Sequence, residues 1–248
     1  MITRLKKIYR FIRHKSEYMF FVISKKPTIT VSINEITARF HVNSYGEYVR
    51  VKSLSGEREI LESLLSQIFP GDIIMDVGAN IGTHTILFSK KSERIGEVIS
   101  IEPNRKSSER LKENILLNQL ENIQIFDGGL GSTDATKLLL VGEEPSYGKS
   151  RIWSSGDSKS STVEIKVTKG DNLVSRSLSA IPNVIKIDVE GYEKEVIQGL
   201  RTTLEHAECR VVMCEYNRIP NPDLIVEMGF TILSSSKRGT DTHIIYVK

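Results

Sequence analysis

The chain contains few cysteines and carries little net charge, and each shortage excludes a class of protein. Two cysteines among 248 residues, Cys209 and Cys214, lack C-x-x-C spacing, which argues against a disulfide scaffold or a structural zinc site. Both lie within an apolar run, so we predict buried thiols in a reducing, cytoplasmic compartment. A net charge of +3 is too small to require nucleic acid, and we predict no nucleic-acid partner.

Long hydrophobic runs are also scarce. The apolar stretch at residues 18–23 is much shorter than the roughly 20 residues of a membrane span, and it lacks the features of a secretory signal. Residues 1–26 nevertheless interleave basic and aromatic side chains, which is typical of a helix lying on an anionic membrane surface. We therefore predict a cytoplasmic protein in which this segment packs across the domain or covers a substrate pocket. The alternative is a peripheral contact at the inner membrane face.

What remains is an ordinary globular composition, 39% hydrophobic and 26% charged, which is sufficient for one substantial core. We divide the chain into a basic amphipathic segment (1–27), a hairpin or substrate-side extension (28–56) and one main domain (57–248). Alternating β-rich residues on either side of Asn34 and Glu35 predict the hairpin. The further elements that we predict are helices at 57–69, 105–117, 192–200 and 222–228, strands at 138–141, 163–167, 207–214, 230–234 and 243–247, and a long loop at 132–162.

Residues 71–84 predict a buried strand, a glycine turn and the start of a helix at Thr83. Gly78 and Gly82 bracket the turn, where glycine permits positive φ or a close approach to a ligand. A dinucleotide site would have a glycine in place of Asn80. Asp76 at the strand end instead suggests a smaller ligand with positive charge, as in the sulfonium and amino groups of S-adenosylmethionine.

The next two predicted strands, 98–101 and 123–126, both end in acidic residues. Glu102 follows Gly82 by 20 residues, a distance at which a carboxylate can accept both ribose hydroxyls of a nucleoside. Asp127 is followed by glycines and is a candidate contact at the adenine edge or part of a solvated turn. The complete set of predicted cofactor-binding residues is Asp76, Gly78, Asn80, Gly82, Thr83, Glu102, Pro103, Asn104 and Asp127.

A second charged stretch, residues 184–191, predicts another buried strand. Strand alternation would place Lys186, Asp188 and Glu190 on one side, where three charges among apolar residues need partners or a function. A salt-bridge cluster is the structural alternative. Because ligands collect at the carboxyl ends of parallel strands, we expect one rim to gather Asp76, Glu102, Asp127, Asp188, Glu190 and Glu215.

These motifs together resemble the FkbM family of S-adenosylmethionine-dependent methyltransferases, over residues 57–215. The resemblance is carried by residues 76–82, 102–104, 111–118 and 185–193. It implies an α/β, class I (Rossmann-like) methyltransferase fold, with a seven-stranded, mostly parallel sheet, an antiparallel final hairpin strand and helices on both faces. One departure is that relatives often carry Asn and Ala after the third strand, where this chain has Asp127, Gly128 and Gly129.

The resemblance also implies O-methylation of a hydroxyl on a sugar, glycan or polyketide-like acceptor, with S-adenosylmethionine as cofactor. Asp188 or Glu190 would act as the base or anchor the hydroxyl, and Lys186 would steady the developing alkoxide.

Three alternatives remain open from the sequence. The first is a Mg²⁺-assisted methyltransferase, with Asp188, Glu215 and Asn217 as ligands. The second is a nicotinamide oxidoreductase, which Asn80 disfavours. The third is a non-catalytic nucleoside-binding protein at a membrane surface. Our primary interpretation contains no metal, and the sequence makes no prediction of the oligomeric state.

Overall fold

The computed structural model describes residues 12–13, 15–19, 22–23, 28–142, 150–154, 161–217 and 223–248. The strands are β1 (Thr28–Ile33), β2 (Ile36–His41), β3 (Ile73–Val77), β4 (Glu97–Ile101), β5 (Ile123–Phe126), β6 (Gly129–Gly131), β7 (Ala135–Leu140), β8 (Arg151–Ile152), β9 (Thr162–Lys169), β10 (Val184–Ile187), β11 (Val211–Asn217), β12 (Thr231–Arg238) and β13 (Asp241–Val247). The helices are α1 (Tyr45–Ser53), α2 (Arg58–Leu65), α3 (Thr83–Ser92), α4 (Arg105–Leu117), α5 (Gly170–Ser177), α6 (Glu193–Gly199), α7 (Arg201–Glu205) and α8 (Asp223–Val226), with a 3₁₀ turn at Leu54–Gly56.

The main sheet has seven strands in the order β12-β13-β11-β10-β3-β4-β5. Strands β3, β4, β5, β10 and β11 run parallel, while β13 is antiparallel to both β11 and β12. This architecture confirms the predicted class I methyltransferase fold. A smaller sheet, β6-β9-β7-β8, lies beyond the third parallel strand in sequence.

Strand β3 is buried on both faces and contributes to two hydrophobic cores. Ile74 belongs to a core with the β1–β2 hairpin and helices α1 to α3, where Phe40 and Leu61 are fully buried. Met75 and Val77 point to the other core, which helices α5 to α8 cover. The continuous apolar run of β3 therefore reflects helices or hairpin on both sides of the sheet.

Several element boundaries differ from the sequence-based predictions. Strand β10 ends at Ile187, so Asp188 and Glu190 lie beyond the strand. Asp188 still contacts Lys186, as the predicted alternation requires, whereas Glu190, at a φ of 52°, is outside the regular strand. Strand β11 starts at Val211 and extends to Asn217, later than predicted at both ends. Strand β7, predicted at 138–141, begins three residues earlier, at Ala135. The sequence-based predictions include no helix at α1, α5 or α7.

The inner face of the β1–β2 hairpin packs into the same core as the main sheet, with Ile33, Ala38 and Phe40 completely buried. The division of the chain at residue 57 stays a prediction. Within the described ranges, none of the helices combines the length and the apolar character needed to span a bilayer.

Candidate active site

A cavity of about 590 Å³ opens at the carboxyl ends of the parallel strands. Its walls come from β3, β4, β10 and β11, from α1, from the smaller sheet and from the turn between β12 and β13. The predicted site residues that line it are Gly78, Asn80, Glu102, Pro103, Asp188, Glu190 and Glu215. The cavity size is typical of a small-molecule site, and the strand ends meet there as expected.

Both glycines of the first turn are required by the chain itself. Gly78 has a φ of 83°, and a Cβ there would lie 1.8 Å from the Asp188 carbonyl oxygen. Gly82 has a φ of 86°, and a Cβ would lie 2.3 Å from a methyl carbon of Leu111. The glycines therefore let the turn approach the β10 loop and helix α4 closely, in a conformation that other residues rarely adopt.

Asp76 and Lys186 form a buried ion pair beneath the cavity. Lys186 Nζ lies 3.0 Å from Asp76 Oδ1 and 3.4 Å from Asp188 Oδ2, and Thr85 donates to Asp76 at 2.6 Å. Burial alone would lower the pKa of Lys186, but the charges of Asp76 and Asp188 outweigh it and raise the pKa. The cation that meets Asp76 is therefore Lys186, and both side chains lie behind the cavity wall, while Asp188 lines it.

Glu102 follows β4 and lines the part of the cavity where the predicted cofactor residues lie, which we call the cofactor side. It is 5% exposed, and its two oxygens accept from the backbone N–H groups of Asn80 and Asn104, each at 2.7 Å. Each oxygen retains a second lone pair, so the carboxylate can still accept two hydroxyls. Burial raises the pKa of Glu102 to about 7, despite the opposing backbone hydrogen bonds.

Part of the cavity lining is apolar and suited to an aromatic base. We call these residues, from β4 and the smaller sheet, the apolar slot: Ile101, Leu130, Leu139, Ile152 and Ile165. The sequence reading did not find these residues, because they follow an ordinary strand pattern.

Thr83 and Asp127 occupy different environments. The Thr83 hydroxyl is buried, has no hydrogen-bond partner among the described residues and is not part of the described cavity lining. Asp127 is absent from the described cavity lining, and it pairs with Ser108 and Lys112 at the surface. Its predicted contact with the adenine edge has no support from this position.

Carboxylates crowd the opposite wall of the cavity. Burial, with the neighbouring charges of Asp188 and Glu215, raises the pKa values of Glu57 and Glu190 to about 7. Asn217 donates to Glu190 at 3.0 Å, and Glu190 itself has an unusual φ of 52°. We call the four carboxylates of this side the acidic wall: Glu57, Asp188, Glu190 and Glu215.

His243 lies behind the acidic wall, with its Nε2 2.7 Å from Glu215 Oε2. Burial alone would lower the pKa of His243, but the hydrogen bond and charge of Glu215 outweigh it and raise the pKa. The sequence reading assigned no role to His243 or Glu57, since each is a lone polar residue at the boundary of an apolar element. It also missed three arginines that line the cavity, Arg50, Arg151 and Arg238.

The residues present fit S-adenosylmethionine. Glu102 offers acceptors for the ribose, the apolar slot suits adenine, and the acidic wall favours a positively charged sulfonium. A carboxylate at the second strand end is shared with nicotinamide sites, but Asn80 occupies the place of their second glycine. Fold and site together define a class I, S-adenosylmethionine-dependent methyltransferase.

Comparisons with known proteins agree. The family model of the FkbM methyltransferase domain matches residues 76–238, and the chain belongs to this family. It is 34% identical over 185 residues to the hexuronic acid methyltransferase AglP of Haloferax volcanii, covering 73% of this chain and 71% of that protein. It is 27% identical over 150 residues to methyltransferase 1 of Beauveria bassiana, covering 53% of this chain and 60% of that protein.

Among solved structures, the precorrin-6y C5,15-methyltransferase of Geobacter metallireducens superposes with a TM-score of 0.50 at 11% identity. The match covers 77% of this chain and 88% of that one, and it supports the fold. The family, enzyme class and cofactor predicted from the sequence are confirmed, and the nicotinamide alternative is excluded.

Proposed function

We propose that the protein transfers a methyl group to a hydroxyl of an acidic sugar, free or within a glycan. The observation that carries this proposal is that one cavity is lined both by the acidic wall and by three arginines, Arg50, Arg151 and Arg238. Arginine is suited to binding a carboxylate of the acceptor. The similarity to a hexuronic acid methyltransferase supports the same acceptor class.

Bound S-adenosylmethionine supplies an already activated methyl group, so the chain mainly has to position the acceptor and remove one proton. Glu190 suits the proton acceptor, because it lines the cavity and its pKa of about 7 is near neutral pH. Asp188 is suited to anchor the acceptor hydroxyl, because its ion pair with the buried Lys186 orients the carboxylate. Lys186 is then a positioning residue, rather than a direct contact of the alkoxide.

A base would be unnecessary for a carboxylate acceptor, which carries no proton at neutral pH. The presence of Glu190 beside Asp188 therefore favours a hydroxyl acceptor and an ether product.

The test uses the full chain with S-adenosylmethionine labelled in its methyl group, a glucuronic acid glycoside and the matched glucoside. We expect mass spectrometry to show one added methyl on the glucuronide, stable to mild alkali, and much less on the glucoside. Equal methylation of both sugars would contradict the acidic acceptor. A methyl group lost in alkali would be an ester and would contradict the hydroxyl acceptor, whereas labelling of a polyketide alcohol alone would contradict a sugar.

We also propose that the N-terminal segment contacts an anionic membrane surface. Ile12, Met19 and Ile23 are 60%, 61% and 72% exposed, and their spacing places them on one helical face. Tyr18 instead packs against Tyr45, 5.5 Å away between ring centroids. An exposed apolar stripe in a basic segment is typical of interfacial helices.

Sedimentation with vesicles of anionic or neutral lipid tests this contact. We expect binding to anionic vesicles that is lost in the Met19→Asp, Ile23→Asp double variant and kept in a Leu116→Asp control, whose exposed leucine lies on α4. Unchanged binding of the double variant would contradict the proposal.

A further inference from the structure

Three potential metal ligands converge at the acidic wall. Glu57, Glu215 and His243 each offer one atom, and these atoms all lie within 4.8 Å of one another. Glu57 precedes helix α2, while Glu215 and His243 face each other as a cross-strand pair of β11 and β13. The exposed fractions are 7%, 8% and 2%, so the group is held inside the fold.

The local charge balance favours a cation at this place. Four carboxylates form the acidic wall, yet its nearest buried ammonium, Lys186, is shared with Asp76. Arg238 reaches Glu57 Oε1 at 3.4 Å, but its side chain is 53% exposed. Buried carboxylates at this density need a counter-charge or must take up protons.

A second and independent observation comes from His84 on helix α3. This side chain is 5% exposed, and its Nε2 has no hydrogen-bond partner among the described residues. The nitrogen lies 3.5 Å from Glu57 Oε2, a distance that would make an ion pair only with a charged imidazole. A buried imidazole nitrogen without a hydrogen-bond partner therefore points at a carboxylate of the same cluster.

We propose that Glu57, Glu215 and His243 bind one divalent transition-metal ion, with His84 beside Glu57. Metal bonds of about 2.0–2.2 Å place ligand atoms roughly 3–4.4 Å apart, so only small side-chain shifts are needed. The proton now shared by His243 and Glu215 would leave on binding. The imidazole ligand favours Mn²⁺ or Zn²⁺ over Mg²⁺.

This set differs from the magnesium ligands considered from the sequence. Glu215 is common to both, but Asp188 lies outside the converging group and Asn217 donates its amide to Glu190. Because Glu57 and Glu215 line the cavity, a bound ion would lie on the acceptor side. The existence of the site does not depend on which acceptor is methylated.

The test is Mn²⁺ binding by the full chain, followed by electron paramagnetic resonance and calorimetry in the absence of cofactor. We expect one ion per chain, and roughly tenfold or greater loss of affinity in Glu57→Gln and in His243→Ala, since even outer-shell partners are worth about tenfold. The control Asp241→Asn removes another acid of the cavity lining and should bind Mn²⁺ as the wild type does. Binding of S-adenosylhomocysteine by each variant shows that it is folded.

Failure of the wild type to bind Mn²⁺ or Zn²⁺ more tightly than about 100 µM would overturn the proposal. It would also be overturned if Asp241→Asn lost as much affinity as the ligand variants, or if Mg²⁺ bound as tightly as Mn²⁺. None of these results would bear on methyl transfer itself, which the labelled-cofactor assay measures separately.

Discussion

The two walls of the cavity hold their carboxylates in different ways. On the cofactor side, Glu102 is fixed by two backbone N–H groups that come from the adjacent turns. On the acidic wall, Glu57, Glu190 and Glu215 rely on side-chain partners such as Arg238, Asn217 and His243. Backbone donors orient a carboxylate without a flexible partner, so we infer that the cofactor side is preorganised. The acidic wall depends more on the ligands that it binds.

The largest effect is expected at Gly78, because this residue of the cofactor side lies against the backbone of Asp188 in the acidic wall. Gly78→Ala would force positive φ and bring a Cβ within 1.8 Å of the Asp188 carbonyl oxygen. We expect unfolding to become easier by about 3 kcal/mol or more, with loss of measurable cofactor binding. Thermal or urea unfolding and calorimetry would measure both effects.

Gly229→Ala is the matched control, because Gly229 also has positive φ, but a Cβ added there would meet no atom of the described residues within 4 Å. It should lose only about 1 kcal/mol. Equal losses in the two variants would show that conformational strain matters and the contact with Asp188 does not.

A smaller effect, confined to the acidic wall, is expected from Asp188→Asn. Turnover should fall roughly tenfold or more, about 1.4 kcal/mol in the barrier, because the acceptor loses a charged anchor. Affinity for S-adenosylhomocysteine should stay within about threefold, since Glu102 and the apolar slot are untouched. Steady-state kinetics with calorimetry tests this, and full activity in the variant would remove Asp188 from the reaction.

The smallest effect is a pH dependence on the cofactor side. The pKa of Glu102 is raised to about 7, and ribose hydroxyls are best accepted by the ionised form. Cofactor affinity should therefore fall as pH drops through 7, by about threefold between pH 7.5 and pH 6.5. Asn80 and Asn104 donate to this carboxylate and oppose the effect of burial, while Lys186 and Arg50 contribute positive charge nearby.

Calorimetric titration at several pH values measures this slope. In Glu102→Gln the slope should flatten, apart from titration of the ligand itself. A slope unchanged by the substitution would assign the proton to another group.

The sequence predicted the cofactor side better than the acidic wall, for a physical reason. Glu102, Asn80 and Gly78 lie in one strand-turn-helix pattern and its neighbouring strand, where spacing along the chain determines position in space. Glu57 and His243 lie far apart along the chain, and the packing of helix α2 against β12 and β13 brings them together. A single sequence carries no signal for such a meeting.

Some features of the cavity, including one on the cofactor side, could not be predicted from the sequence. Asp76 has the position expected from the pattern, but its partner is the chain's own Lys186. The turn after β10 gives Glu190 a positive φ, so regular strand alternation does not predict the position of this carboxylate. The sequence predicts strands near β7 and β9, but it does not predict their pairing with each other and with β6, which brings residues of the smaller sheet to the cavity.

The division of the cavity into a cofactor side and an acceptor side is tested most directly by titrating S-adenosylhomocysteine into wild type, Glu102→Gln and Glu190→Gln. We expect Glu102→Gln to lose at least tenfold in affinity, about 1.4 kcal/mol, because two hydroxyls lose a charged acceptor. Glu190→Gln should bind within about threefold of wild type. A large loss in Glu190→Gln together with wild-type binding in Glu102→Gln would contradict the assignment of the two walls.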